Sequence, residues 1–119
     1  MSRTGAIIMR WEGTTRGREA AGFEAFGNVL GYFEELAKEG RIIGHREYFA
    51  LNGSGTILLE GLLPELHQIV QEDEFLRQAV VGQSMVEGFT VEVCAGGSDQ
   101  TIQELMALEI GVQEKLGLF

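Results

Sequence analysis

Residues Arg41–Leu62 read RIIGHREYFALNGSGTILLEGL, and the turn near their centre decides the fold. Asn52–Gly55 (NGSG) sets an Asn-Gly pair between two apolar-rich runs. Glycine supplies the positive φ that a hairpin loop needs, and four loop residues make this turn looser than the two-residue kind. Two antiparallel strands are therefore expected, Arg41–Leu51 and Thr56–Leu62. Alternation along the first separates Ile43, His45, Glu47, Phe49 and Leu51 from Ile42, Gly44, Arg46, Tyr48 and Ala50. The odd set is the more apolar, which places it on the core side and leaves Arg46 and Tyr48 on the other face.

Helical periodicity flanks this hairpin on both sides. Upstream, Phe23, Phe26, Leu30, Phe33 and Ala37 recur at three and four, Val29 and Leu36 widen the stripe, and Gly40 supplies a stop. This amphipathic helix is expected to cover a sheet. Downstream, Pro64 suits a first helical turn, where its missing N–H is not required. Leu66, Ile69 and Val70 face inward, and Asp73 is placed to cap a second short helix carrying Phe75, Leu76, Ala79 and Val80.

Further out lie two more strands and a last helix. Residues 6–12 (AIIMRWE) alternate, Ile7, Met9 and Trp11 against Ile8, Arg10 and Glu12, and Gly13–Glu19 (GTTRGRE) is loop by composition. Gly88–Cys94 (GFTVEVC) sets Phe89, Val91 and Val93 against Thr90, Glu92 and Cys94, and Ser98 can cap a helix running to about Leu116. The order β-α-β-β-α-β plus a terminal helix is that of a ferredoxin-like α+β fold. Its four-stranded antiparallel sheet would have the spatial order 4-1-3-2 and both main helices on one face.

A chain of 119 residues fits a single domain spanning 1–119, burying about 65% of the surface it exposes when unfolded. Cys94 is the only cysteine, so no internal disulfide forms and a reducing compartment is the simpler expectation. The opening MSRTGAIIMRWEG holds four consecutive apolar residues before Arg10, too few for a signal-peptide core, and no later run approaches spanning length. A soluble cytoplasmic protein without membrane partners is expected. Net charge is −9, of which residues 1–60 contribute −1 and residues 61–119 contribute −8. Such a surface repels phosphate backbones, which argues against nucleic acid as a partner.

Asp73–Val93 (DEFLRQAVVGQSMVEGFTVEV) resembles the second half of YCII-related proteins of the dimeric α/β-barrel superfamily: an Asp, an aromatic two residues later, an Ala four beyond that, then an alternating strand. Asp73, Phe75, Ala79 and the Phe89, Val91, Val93 set carry the likeness, and Tyr32–Gly44 (YFEELAKEGRIIG) is similar to the end of their first helix. The resemblance covers roughly half the chain and implies a dimeric α/β barrel rather than a function. Family members thought to be catalytic carry a His early in the first helix and often a Gly-Pro pair in the second strand. Here Glu19–Phe26 (EAAGFEAF) has no His and Gly44–Phe49 (GHREYF) no Gly-Pro, so no catalytic residue carries over. The superfamily also includes cofactor-independent monooxygenases and haem-degrading enzymes using Asn, Trp and His, parts for which Asn28, Trp11 and His45 or His67 are available.

Strand parity sends Arg10, Glu12, Arg46, Tyr48, Glu60 and Glu92 to the face opposite the helices, and these are the candidate ligand-binding residues. An arginine there would hold an anion and a glutamate exchange protons. Mutual ion pairs across a subunit boundary account for the same residues structurally. Two histidines and one cysteine match no metal-ligand spacing, so neither metal nor cofactor is expected. The last helix is apolar on two stripes, Leu105, Leu108, Val112 and Leu116 on one and Ile102, Met106 and Ile110 on the other. With an uncovered sheet face, this predicts a homodimer. The functions in view are a small dimeric protein binding or transforming an organic molecule, a non-catalytic ligand-binding or accessory domain, and a monooxygenase or haem-handling protein.

Overall fold

A computed structural model describes residues 2–118 as an α+β chain. The elements are β1 (Thr4–Trp11), β2 (Gly13–Thr14), α1 (Glu19–Lys38), β3 (Gly44–Phe49), β4 (Gly55–Leu62), α2 (Leu63–Ile69), α3 (Asp73–Met85), β5 (Val86–Glu87), β6 (Thr90–Ala95) and α4 (Asp99–Lys115). Four strands form one antiparallel sheet in the order β3-β4-β1-β6.

Register explains which residues make the core. β1 sets Ile7 opposite Leu59 and Val93, and Met9 opposite Ile57 and Val91. β3 sets His45 opposite Leu59 and Glu47 opposite Ile57, so the odd residues of HREYF share the apolar face as their alternation predicts. Ile7, Met9, Ile57 and Leu59 are buried there against Phe33 and Leu36 of α1, Leu66 and Ile69 of α2 and Phe75 of α3. Gly55 is required at one point of this face. A Cβ there would collide with the Trp11 indole, which rests where its register partner has no side chain.

The helix ends follow local chemistry. Gly40 (φ 73°) closes α1: its N–H donates to the Ala37 carbonyl and that of Arg41 to the Leu36 carbonyl, satisfying the last carbonyls of the helix. Pro64 stands in the first turn of α2, and the Ser98 hydroxyl accepts from the Thr101 N–H to cap α4. Arg41 then ties three segments together, donating twice to Glu72 at 2.7 Å and once to Glu65 at 2.6 Å.

Four sequence expectations need correction. Asp73 does not cap α3: it is the first helical residue, Glu72 holds the cap position in extended conformation, and no side chain accepts there. Gly13–Thr14 is not plain loop but pairs with Val86–Glu87, a ladder too short for any periodicity to announce. The second strand is shorter than Arg41–Leu51, and Ile43 and Leu51 lie outside it and exposed. Most consequential, Phe23 is 79% exposed. The apolar stripe of α1 is buried at Phe33 and Leu36 and packs part-buried against the core at Phe26, Val29 and Leu30, leaving Phe23 outside it.

Helix α4 is anchored by its first turns. Thr101 hydrogen-bonds the Thr4 backbone and Arg3 pairs with Glu104 at 3.1 Å. Among the described residues Thr101 is the one buried residue of α4, and Met106, Ile110, Val112 and Leu116 are exposed. The radius of gyration is 16.8 Å, against about 13.5 Å for a compact chain of this length.

Candidate functional site

A cavity of about 360 Å³ lies between α1, α3 and the apolar sheet face. That volume falls in the range of about 300–1,000 Å³ typical of small-molecule sites. Met9, Trp11 and Ile57 supply the sheet wall, Val29 and Phe33 the α1 wall, and Phe75 and Ala79 the α3 wall. Seven of its lining side chains among the described residues are aromatic, out of ten aromatics in the whole sequence. The walls of this cavity are therefore rich in aromatic rings.

The rings are fixed by their neighbours. Trp11 is buried and held over Gly55, Phe49 meets it edge-on with centroids 5.9 Å apart, and Phe26 meets Phe49 at 5.1 Å. Interplanar angles of 64° and 67° make these three rings adjoining walls rather than a stack. Phe23 and Phe49 are largely exposed at the mouth, whereas Phe33 and Phe75 are buried. On the α3 side the Phe89 ring lies in van der Waals range of Gly82, 3.6 Å from where a Cβ would stand. Polar groups are few: Thr14, Glu19 and Gln78 line the space, and among the described residues no Arg, Lys or His does.

The six residues singled out from the sequence lie elsewhere. Arg46, Tyr48, Glu60, Arg10 and Glu92 occupy the opposite face of the sheet, as the register requires. Arg46 Nε donates to Glu60 Oε1 at 2.7 Å between β3 and β4, and Arg10 approaches Glu92 at 3.7 Å between β1 and β6. These are two separate pairs within one chain, solvated and of little energetic weight as they stand. Glu12 lies past the end of β1: its N–H donates to the Glu87 carbonyl and its side chain crosses Gly88. Ile8 and Leu58, half-buried, lie opposite one another on this face.

His45 is a core-side residue with two carboxylate partners. Its Nδ1 meets Glu47 Oε2 at 2.6 Å, its Nε2 meets Glu34 Oε1 at 2.8 Å, and its ring lies 5.7 Å from that of Phe33. Burial alone pulls the imidazole pKa down, but the hydrogen bonds to Glu47 and Glu34 outweigh it and raise the pKa above its ordinary value. The cluster bridges β3 to α1 beside the cavity without lining it. Of the Asn, Trp and His set, Trp11 lines the cavity while Asn28 and His67 are exposed. Among the described residues no three of His, Cys, Asp and Glu are grouped to hold a metal ion, and no helix is long and apolar enough to cross a membrane.

Sequence reasoning missed the cavity because each of its walls reads as core. Phe23, Phe26, Val29 and Phe33 fit one stripe, and Phe75 and Ala79 another. The available signal was a surplus of large aromatics over what one helix can press against four strands. No protein-family model, curated protein or solved structure matches this chain.

Proposed function

We propose that this protein binds a small, largely apolar organic molecule in the cavity between α1, α3 and the sheet. The observation that carries this reading is the preformed space of about 360 Å³ walled by Trp11, Phe26 and Phe49. Binding there removes apolar ligand surface from water at about 25 cal/mol per Å², with Thr14, Glu19 and Gln78 left to orient polar groups. The carboxylate Glu19 is the one lining group able to take up a proton, so transformation of the ligand is a further step for which binding is the premise.

The opposite sheet face serves assembly in this reading. The protein is a ferredoxin-like half of a dimeric α/β barrel related to the YCII proteins, and Ile8, Leu58 and the two ion pairs meet their counterparts in a second copy. The strand order β3-β4-β1-β6, the helices on one face and the apolar surface of α4 support it. A single cysteine, Cys94, supports a reducing, cytoplasmic setting.

Trp11 is the only tryptophan and lines the cavity, so occupancy is directly readable. Titration with N-phenyl-1-naphthylamine, a neutral fluorescent probe, is expected to give saturable energy transfer from Trp11 with one probe per chain. Ala79→Phe, which fills the space from the α3 wall, should weaken binding at least about tenfold while the protein stays folded. Non-saturable uptake, or unchanged affinity in a folded Ala79→Phe protein, would refute the proposal.

A further inference from the structure

We infer that the cavity selects organic cations, specifically tertiary or quaternary ammonium compounds, an inference that rests on the cavity being a ligand site. Aromatic faces carry a negative quadrupole, and a cation enclosed by several of them is held more tightly than a neutral group of the same shape. Among the described residues seven aromatic side chains line the space, and Phe49 stands at 64° to Trp11 and at 67° to Phe26, so the ring walls of the cavity face in different directions.

The charges around the cavity decide the sign. The N-terminal turn of α1 (Glu19, Gly22) and the C-terminal turn of α3 (Gly82, Met85) both line the space. Their opposite end charges, about half a unit each, therefore offset. Of the lining groups Glu19 alone carries a full charge, and it is negative. Arg18, next in sequence, is not among the lining residues: its guanidinium donates to the Ser84 carbonyl at 2.8 Å. The field of the whole chain, at −9, points the same way. A carboxylate ligand would face Glu19 with no cation lining the cavity to receive it, while an ammonium group meets both the rings and the acid.

The test compares isosteres. Phenyltrimethylammonium and its neutral counterpart tert-butylbenzene have the same shape and differ in charge, and benzoate supplies the anion. Each is used to displace N-phenyl-1-naphthylamine, read through Trp11, at an ionic strength of about 0.15 M so that long-range attraction to the chain is screened. The cation is expected to displace the probe at a concentration about tenfold lower than tert-butylbenzene, with benzoate weaker than both. Glu19→Gln should shrink the cation-to-neutral ratio about threefold. Equal or better displacement by tert-butylbenzene overturns the cation preference and leaves the cavity as a site. Displacement by benzoate ahead of the cation overturns it too. If the naphthyl probe itself fails to bind, the cavity reading falls and the inference with it.

Discussion

Gly55 and Trp11 show how a single residue sets the site. The indole occupies the volume that a side chain at position 55 would take, so Gly55→Ala forces the ring to move. The expected cost is about 1–3 kcal/mol, the usual penalty of overpacking, with a red shift of tryptophan emission as the ring gains water. Urea unfolding and emission spectra check both, and an unshifted spectrum at full stability would mean that the ring is not seated over Gly55. His45 gives a prediction in pH. Its folded pKa lies above the unfolded value of about 6.5, so its contribution is complete below that pH and is lost as pH rises through the folded value. The stability difference between wild type and His45→Gln should be largest below about pH 6.5 and shrink as pH rises above it. A difference that stays constant or grows with pH would remove the Glu34–His45–Glu47 bridge from the account. The facing of HREYF was legible in sequence because strand parity fixes it. The Glu34 partner was not, because eleven residues and a helix-to-strand packing separate it from His45.

At the level of elements, long periodic segments were legible and short or unsupported ones were not. α1 follows from its apolar spacing and the Gly40 stop and α4 from its apolar stripes and the Ser98 cap, whereas the Gly13–Thr14 and Val86–Glu87 ladder has two residues a side. Periodicity also reached too far at one end of α1: Phe33 and Leu36 are buried and Phe26 packs on the core, whereas Phe23 is exposed, and spacing alone does not separate them. α4 carries the assembly prediction. Met106 and Ile110 are exposed on a helix whose described residues bury Thr101 alone. Wild-type protein is expected to sediment as a dimer at micromolar concentration and Ile110→Glu as a monomer or a much weaker dimer. A clean wild-type monomer would contradict the barrel, and an unchanged Ile110→Glu dimer would place α4 outside the interface.

Across the whole molecule, the sheet divides two tasks. Its odd face, closed by α1, α2 and α3, holds the core and the aromatic cavity, and its even face carries Ile8, Leu58 and the Arg46–Glu60 and Arg10–Glu92 pairs. Strand parity puts the charged residues on the even face, and the sequence points to a ligand site there because polar residues are what a sequence displays. A cavity walled by rings reads as core until the packing shows unfilled space. The most direct test is therefore where a ligand sits. A crystal structure of the protein grown with N-phenyl-1-naphthylamine is expected to show the naphthyl ring enclosed by Trp11, Phe26 and Phe49. Density for the probe on the Arg46–Glu60 face, with the aromatic cavity empty, would contradict the account.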